Sequence, residues 1–424
     1  KPSSAASDVY KRQTQNPDET YSRSYPIDSP AFGNLTGYLS SQFGASELES
    51  SQNDILNGTD DSLMKQNWLD ALADKPKQGA NVEVTIDPAL QQAAYDQLVG
   101  PGYEGSAVAI QPSTGKILAM ASNPGYNPND LMGDSAEDVW ASLQEQEGQP
   151  LVNHAGAETL PPGSIFKIIT AAAGLNNGFN PSSTLTGSNV ITLPDTVTEL
   201  TNYANQKCNG QDAVTLQTAF ALSCNTAFVE MSEQLGADEL RKYAKAFGVG
   251  ENYDLGVSTS AGTLGDLPDG AATAQSAIGQ RDVTMTALQA AVMAGTVANK
   301  GTRMQPYLVN RITDAQMKDI RTTKPKKADQ AVNEETAATL TDLMYASERS
   351  SAGYDGNGFA SKTGTAEHGE GLAPHVWYVA FDPERDIAVG VVVKNGGNLG
   401  ESATGGKVSG PIGRAILRAY QGEQ

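Results

Sequence analysis

Hydrophobic and polar positions change character near residue 80. Residues 14 to roughly 80 are polar and turn-rich, with breaks at Tyr25-Pro26, Asp28-Ser-Pro30 and Asn57-Gly58, and a short helical pattern only from Asp61 to Ala73. From Val82 the periodicity sharpens. Val82 to Ile86 alternates as a strand, and Pro88 to Val99 reads as a helix opened by Asp87 and Pro88. Gly105 to Ile110 and Ile117 to Met120 pair as a hairpin across Gln111-Pro-Ser-Thr-Gly-Lys116. An Ala-rich helix runs from Ser164 to about Gly174 and stops at Asn176-Asn-Gly178. Val214 to Leu235 predicts two further helical stretches, and Thr284 to Ala298 another, ended by Asn299-Lys-Gly301. After Gly358 strands return at Phe359 to Ala366, Val376 to Phe381 and Ile387 to Val393, the last two separated by the turn Asp382-Pro-Glu-Arg-Asp386. Val408 to Tyr420 closes the chain as a helix. This order predicts an antiparallel sheet completed by distant chain segments, with a helical insert between them.

With 424 residues the chain exceeds ordinary single-domain length, which predicts a small N-terminal module over residues 1–80 and one large domain over 81–424. Hydrophobic residues at 39% and charged residues at 18% fit a globular protein. The balance of 29 basic against 49 acidic residues, a net charge of -20, disfavours nucleic acid or anionic lipid as a partner. No run of 18 apolar residues and no signal-peptide pattern occurs. The chain begins at Lys1 without Met, which suggests a truncated product, and residues 1–13, without apolar periodicity, read as a disordered or non-native tail. Cys208 and Cys224, sixteen positions apart, are either two reduced thiols or a bridge. A bridge would need an oxidising compartment and would stabilise by about 3 kcal/mol in the chain-entropy model.

Three short motifs carry chemistry. In Pro161-Pro-Gly-Ser-Ile-Phe-Lys167, Ser164 and Lys167 share a helix face at the i,i+3 spacing. A serine hydroxyl needs a base, and a lysine amine becomes one only if burial or a neighbouring cation depresses its pKa. Ile165, Phe166, Ile168 and Ile169 could supply that burial, and the Pro-Pro-Gly turn sets Ser164 at a helix start, where free N–H groups favour an oxyanion. The same spacing recurs at Ser62 to Lys65 and Ser113 to Lys116, the first in the polar module and the second in a hairpin turn, so context singles out Ser164. Ser223-Cys-Asn225 sets two polar side chains in apolar sequence, where they must find partners or face a cavity; Ser51-Gln-Asn53 matches it by chance. Lys362-Thr-Gly-Thr365 occurs once, on a predicted strand, where Gly364 would let a ligand backbone come close and a cation with two hydroxyls would suit a peptide carboxylate. His154, His368 and His375 show neither metal-ligand spacing nor partners for a Ser-His-Asp triad, so no metal or cofactor is expected.

In combination and order, these motifs resemble the signature set of penicillin-binding proteins and serine β-lactamases. The resemblance covers about residues 82 to 420. Ser276-Ala-Ile-Gly-Gln280, the helix Thr284 to Asn299 and the strand Trp377 to Phe381 look like class B transpeptidase landmarks, and Tyr25-Pro through Gly44-Ala is similar to the actinobacterial A-type branch. It implies a β-lactamase/transpeptidase-like α+β fold, with an antiparallel sheet flanked by helices, a helical subdomain and a small extended N-terminal module. It implies that Ser164 is acylated, Lys167 is its general base and Ser223 passes the proton to the leaving amine. Asn225 would hold the substrate amide, while Lys362, Thr363, Gly364 and Thr365 form the segment that binds the terminal carboxylate. The N–H groups of Ser164 and Thr365 would make the oxyanion hole. Because Cys224 is the variable middle position of Ser-x-Asn, a disulfide to Cys208 would brace the Ser223 loop.

The implied activity is a peptidoglycan D,D-transpeptidase acting on stem peptides ending in D-Ala-D-Ala and acylated by β-lactams. Its expected place is the extracytoplasmic face of the membrane, tethered by an N-terminal anchor absent from this chain, with a glycosyltransferase or divisome partner. The alternatives are a D,D-carboxypeptidase or β-lactamase, for which Glu230, Glu233 or Asp254 would activate water, and a non-catalytic β-lactam sensor.

Overall fold

The computed structural model describes residues 12–15, 21–63, 79–369 and 371–422. Five strands make the central sheet: β1 (Gly105–Ile110), β2 (Ile117–Asn123), β3 (Ala360–Ala366), β4 (His375–Asp382) and β5 (Ile387–Val393). They lie in the order β3-β4-β5-β1-β2, antiparallel throughout. The closing pair joins Val391 to Ala107, so the last strand of the meander docks on the first hairpin. Every position of β1, β4 and β5 is buried, which explains why they read as near-continuous apolar runs and not as alternating ones.

Helices cover both faces. Pro88–Val99 is α1, Lys167–Asn176 α2, Leu216–Ala221 α3, Asn225–Ala246 α4, Gly270–Ala277 α5, Ala287–Ala298 α6, Glu334–Ser350 α7 and Ser409–Ala419 α8. Helix α6 lies against the backbone of Gly390 on one face, and Gly413 of α8 meets the Tyr378 ring on the other, where α1 joins it. Because paired residues share a face, the register Lys362 to Val379 and Thr363 to Tyr378 sends Lys362 and Gly364 toward the α6 side. Ser361 and Thr363 belong to the α8 side.

Asp87 caps α1 as its sequence predicts, accepting from the N–H groups of Ala89 and Leu90. Thr286 and Gln289 form a reciprocal capping box on α6. Several expectations need correction. The strand at Val82 forms as Asn81–Val84, but in a separate three-stranded sheet with Val309–Thr313 and Asp319–Thr322, where Val82 packs with Ile55, Leu63 and Ile312 while Val84 reaches the main core. The Ser164 helix opens with a 3-10 turn, Gly163–Phe166, and is α-helical only from Lys167. The helical middle also carries two β-ribbons, Thr184–Thr186 with Ala213–Thr215 and Val190–Thr192 with Glu199–Thr201. Helix α4 continues past Leu235 to Ala246 through a break at Gly236, whose φ is 75°. Helix α7 was not anticipated; its buried Leu340, Leu343 and Met344 face the core.

In the N-terminal part, Tyr21–Ser24 pairs with Arg12–Gln15, and short helices follow. Asn129 grips Tyr25 through both its N–H and its carbonyl, Glu47 accepts from the Ser258 N–H and hydroxyl, and Phe43 stacks on Trp140 at 4.7 Å. The helical pattern from Asp61 to Ala73 forms a 3-10 turn at Asp61–Leu63; its remainder, with Lys65, lies outside the described residues, as do residues 1–11. Among the described residues no helix is long and apolar enough to cross a membrane.

Candidate active site

Ser164 stands on the turn that leads from Pro161 into α2. That turn is held from several directions. The Trp377 indole N–H donates to the Pro161 carbonyl at 2.8 Å, the Gly163 N–H donates to the Gly279 carbonyl at 2.9 Å, and Leu160 pairs with Met285. Strand β3 touches the turn through bare backbone. A Cβ on Gly364 would fall 2.7 Å from the Pro162 oxygen, and one on Gly163, where φ is 53°, would fall 2.7 Å from the Thr365 oxygen. Gly364, by lacking a Cβ, admits the protein's own Pro162 carbonyl. The consequence is that the Ser164 turn and the Lys362 strand are fixed against each other.

Lys167, fully buried, opens α2. Its Nζ donates at 2.7 Å to the Ser223 carbonyl and at 2.7 Å to Asn225 Oδ1, and reaches the Ser223 hydroxyl at 3.3 Å. The Ser164 hydroxyl makes no hydrogen bond among the described residues, and the partner of Lys167 is the Ser223-Asn225 loop. Burial, reinforced by the positive charge of Lys362, holds the Lys167 amine well below the ordinary lysine range. Lys362 is also fully buried, donates to the Thr363 carbonyl at 3.0 Å, and is pushed down by burial to about 7. The rings of Phe228 and Phe220 lie 5.5 and 5.8 Å from the Lys167 and Lys362 Nζ atoms, cation–π contacts that partly offset the cost of a buried charge.

Three residues separate α3 from α4, and Ser223 among them has a left-handed φ of 61°. For a non-glycine residue that conformation persists only when its surroundings impose it. Here the Ser223 N–H donates to the Phe220 carbonyl and the Cys224 N–H to the Ala219 carbonyl. A disulfide joins Cys224 to Cys208, and the Asn225 Nδ2 donates to the Thr201 carbonyl at 3.0 Å. Trp377, Phe220, Phe228 and Thr201 support the site without having been singled out from the sequence. Trp377 alone offered a signal, since a buried indole N–H needs an acceptor.

None of the three carboxylates considered for water activation hydrogen bonds with Ser164, Lys167, Ser223 or Asn225. Glu230 accepts from the Thr186 N–H in the ribbon beneath α4, while Glu233 and Asp254 are exposed. None of the histidines hydrogen bonds with the motif side chains: His154 pairs with Glu158 at 3.0 Å, and His368 stacks at 3.8 Å on His375, which pairs across the sheet with Ala366 beside Thr365.

Residues 105–418 match the penicillin binding protein transpeptidase domain. The chain belongs to the penicillin-binding protein transpeptidase family. Residues 5–82 match the penicillin binding protein A dimerisation domain. Among related family members, the peptidoglycan D,D-transpeptidase PbpA of Mycolicibacterium smegmatis is 43% identical over 417 residues, covering 94% of this chain and 84% of that protein. The protein of the same name from Mycobacterium tuberculosis is 40% identical, covering 95% of this chain and 84% of its own length. The solved penicillin-binding protein A of M. tuberculosis, as its penicillin G acyl-enzyme complex, superposes with a TM-score of 0.91 at 38% identity, covering 96% of each chain. Its ceftriaxone acyl-enzyme complex gives a TM-score of 0.92 over 97% of this chain and 96% of that one, also at 38% identity.

Proposed function

We propose that this penicillin-binding protein is a peptidoglycan D,D-transpeptidase in which Ser164 is the nucleophile and Lys167 its general base. The observation that carries the assignment is the hydrogen-bond count at Lys167. Its two acceptors at 2.7 Å, the Ser223 carbonyl and Asn225 Oδ1, take both N–H groups of a neutral amine and leave its lone pair for a hydroxyl proton. Burial and the neighbouring Lys362 favour that neutral form.

The Ser164 Oγ attacks the carbonyl carbon of the penultimate D-Ala of a stem peptide ending in D-Ala-D-Ala, and its proton passes to Lys167. The oxyanion accepts from the N–H groups of Ser164 and Thr365, whose segments meet where Gly163 abuts the Thr365 carbonyl. Lys167, now an ammonium, has a third proton to direct at the Ser223 hydroxyl 3.3 Å away. Ser223 relays a proton to the leaving nitrogen, the C–N bond breaks, and D-Ala departs with its amine intact. The amine of a second stem peptide then attacks the Ser164 ester, its proton returns along the same groups to Ser164 Oγ, and the cross-link forms. Asn225 holds the substrate amide with the second N–H of Nδ2, the first being bound to Thr201. Lys362, Thr363 and Thr365 grip the terminal carboxylate.

β-Lactams enter by the same attack, but the severed ring nitrogen stays tethered, and the placement of Glu230, Glu233 and Asp254 supports slow hydrolysis of the ester. A peptidoglycan-synthesising protein works outside the cytoplasm, in the envelope. The reading includes an N-terminal membrane anchor and a glycosyltransferase or divisome partner to deliver glycan strands. Intact-mass analysis after incubation with benzylpenicillin tests the assignment: a persistent adduct is expected on the parent and none on Ser164→Ala. An adduct on both would refute Ser164, and rapid return to the unmodified mass with turnover would make the protein a β-lactamase.

A further inference from the structure

Behind β3, on the face opposite Lys362, a carboxylate has been buried almost completely. Glu348, near the end of α7, is 1% exposed. Its Oε2 accepts from the Ser361 hydroxyl and from the Tyr378 phenol at 2.9 Å, and its Oε1 accepts from Arg414 Nε at 2.7 Å and from Asn357 Nδ2 at 3.0 Å. Arg414, 2% exposed, spends its other N–H groups on the Ala352 carbonyl and the Ser351 hydroxyl. A buried ion pair is weak evidence for stability, because desolvation offsets most of the attraction. The arrangement asks for another explanation, and its members suggest one. Four elements converge on a single carboxylate: β3 through Ser361, β4 through Tyr378, α8 through Arg414, and the loop after α7 through Asn357.

Strand β3 is the element that most needs such a fixture. It is an edge strand, paired only with β4, and its buried Lys362 projects to the α6 side toward the Phe220 ring. Gly364 contributes no side chain to hold it. Its far end is fixed by backbone contact with Pro162 and Gly163, and its near end by the Ser361 hydroxyl alone among its polar side chains facing α8. Ser361 adjoins Lys362 in the chain, so a shift of its backbone moves the Lys362 Cα with it.

We propose that Glu348 is a positioning residue for substrate carboxylate recognition, acting through Ser361 to fix the backbone from which Lys362 projects. The inference rests on the reading of Lys362 as the carboxylate grip. Pre-steady-state acylation by benzylpenicillin, which carries a carboxylate, separates the dissociation constant of the initial complex from the acylation rate constant. Ser361→Ala deletes the link to β3 and leaves the Glu348-Arg414 pair intact; Tyr378→Phe deletes a hydrogen bond to the same oxygen and the phenol's own contact with Ser361, but keeps the Ser361-Glu348 link. Ser361→Ala should weaken the initial complex about fivefold, the scale of one misaligned charge-assisted hydrogen bond, with the rate constant changed less than about twofold. Tyr378→Phe should change either quantity by less than about twofold, and Ser361→Thr, which restores the hydroxyl, should recover binding. Equal thermal destabilisation of Ser361→Ala and Tyr378→Phe, with unchanged initial binding in both, would overturn the proposal and leave Glu348 purely structural. Lys362→Met serves as the reference. If it too binds benzylpenicillin like the parent, the carboxylate-grip reading is what fails; if it binds weakly while Ser361→Ala does not, only the role of Glu348 and Ser361 falls.

Discussion

Lys167 and Lys362 are both fully buried, and each is placed so that its charge is conditional. Lys167 is depressed by burial first and by Lys362 second, so removing Lys362 should relieve the repulsion and let Lys167 hold its proton more tightly. In Lys362→Met the acid limb of the acylation rate against pH should therefore move to higher pH, read as benzylpenicillin acylation between pH 5 and pH 9. An unmoved limb would show that burial alone sets Lys167. Lys362 itself is pushed down by burial to about 7, far below an unfolded lysine. Between pH 7 and the ordinary lysine range near 10.4 the unfolded chain binds the additional proton, so stability attributable to this group rises with pH there. The penalty of burying Lys362 is thus full below pH 7 and fades above it. Urea unfolding at pH 6.5 and pH 9.5 should show Lys362→Met gaining more over the parent at the lower pH. A ligand carboxylate reverses the balance by favouring the ammonium, so binding at pH 8 should take up a proton, measurable calorimetrically in buffers of different ionisation enthalpy and absent in Lys362→Met.

Elements meet at this site through contacts that tolerate no added atoms. The Ser164 turn and β3 approach so closely that Gly364→Ala forces a Cβ to within 2.7 Å of the Pro162 oxygen, with Ile165 and Trp377 each at 3.1 Å. Overpacking of this kind costs about 1–3 kcal/mol, and here the strain falls between the Ser164 turn and the strand that carries Lys362 and Thr365. Gly364→Ala should lower the melting temperature and slow acylation together, whereas a surface change of equal stability cost should only lower the former. The loop between α3 and α4 depends on a different fixture. Replacing Cys208 and Cys224 by Ser opens a link of sequence separation 16, a loss of about 3 kcal/mol in the chain-entropy model. Because that link holds Cys224 beside a left-handed Ser223, acylation should fall even where the variant is fully folded, as checked by denaturant titration beside intact-mass kinetics. The boundaries of α1 and β5 were legible in the sequence because capping residues and an uninterrupted apolar run mark them locally. Helix α7 was missed because its apolar positions are interspersed with Glu, Thr, Asp and Ser, of which Thr336, Ser347 and Glu348 are themselves buried. The destination of the Asn81–Val84 strand was not legible either, since its partners lie more than 200 residues away.

On the scale of the whole molecule, the motif residues came from three separated stretches, and the fold gathers them because β5 pairs back to β1. The identity of those residues was legible in their order along the chain. Their true partners were not: Lys167 bonds to the Ser223 loop and not to Ser164, and Gly364 is required by Pro162, facts that only a tertiary approach can create. The N-terminal part is fastened to the same body by Asn129, Ser258 and the Phe43-Trp140 stack. Trp140→Ala should therefore expose residues 21–63 to limited proteolysis while benzylpenicillin acylation persists, and loss of acylation would mean that this part also supports the catalytic body. The pairing of β1 with β5 carries a temporal consequence for biosynthesis. Ser164 and Lys167 are made early, but β3, which carries Lys362, and β5, which closes the sheet, belong to the last quarter of the chain. During secretion, which proceeds from the N-terminus, a partly delivered polypeptide holds Ser164 without a site around it. An antibiotic that captures this enzyme by acylation must wait for the finished protein, and a chain arrested short of β5 would escape the drug by being inactive.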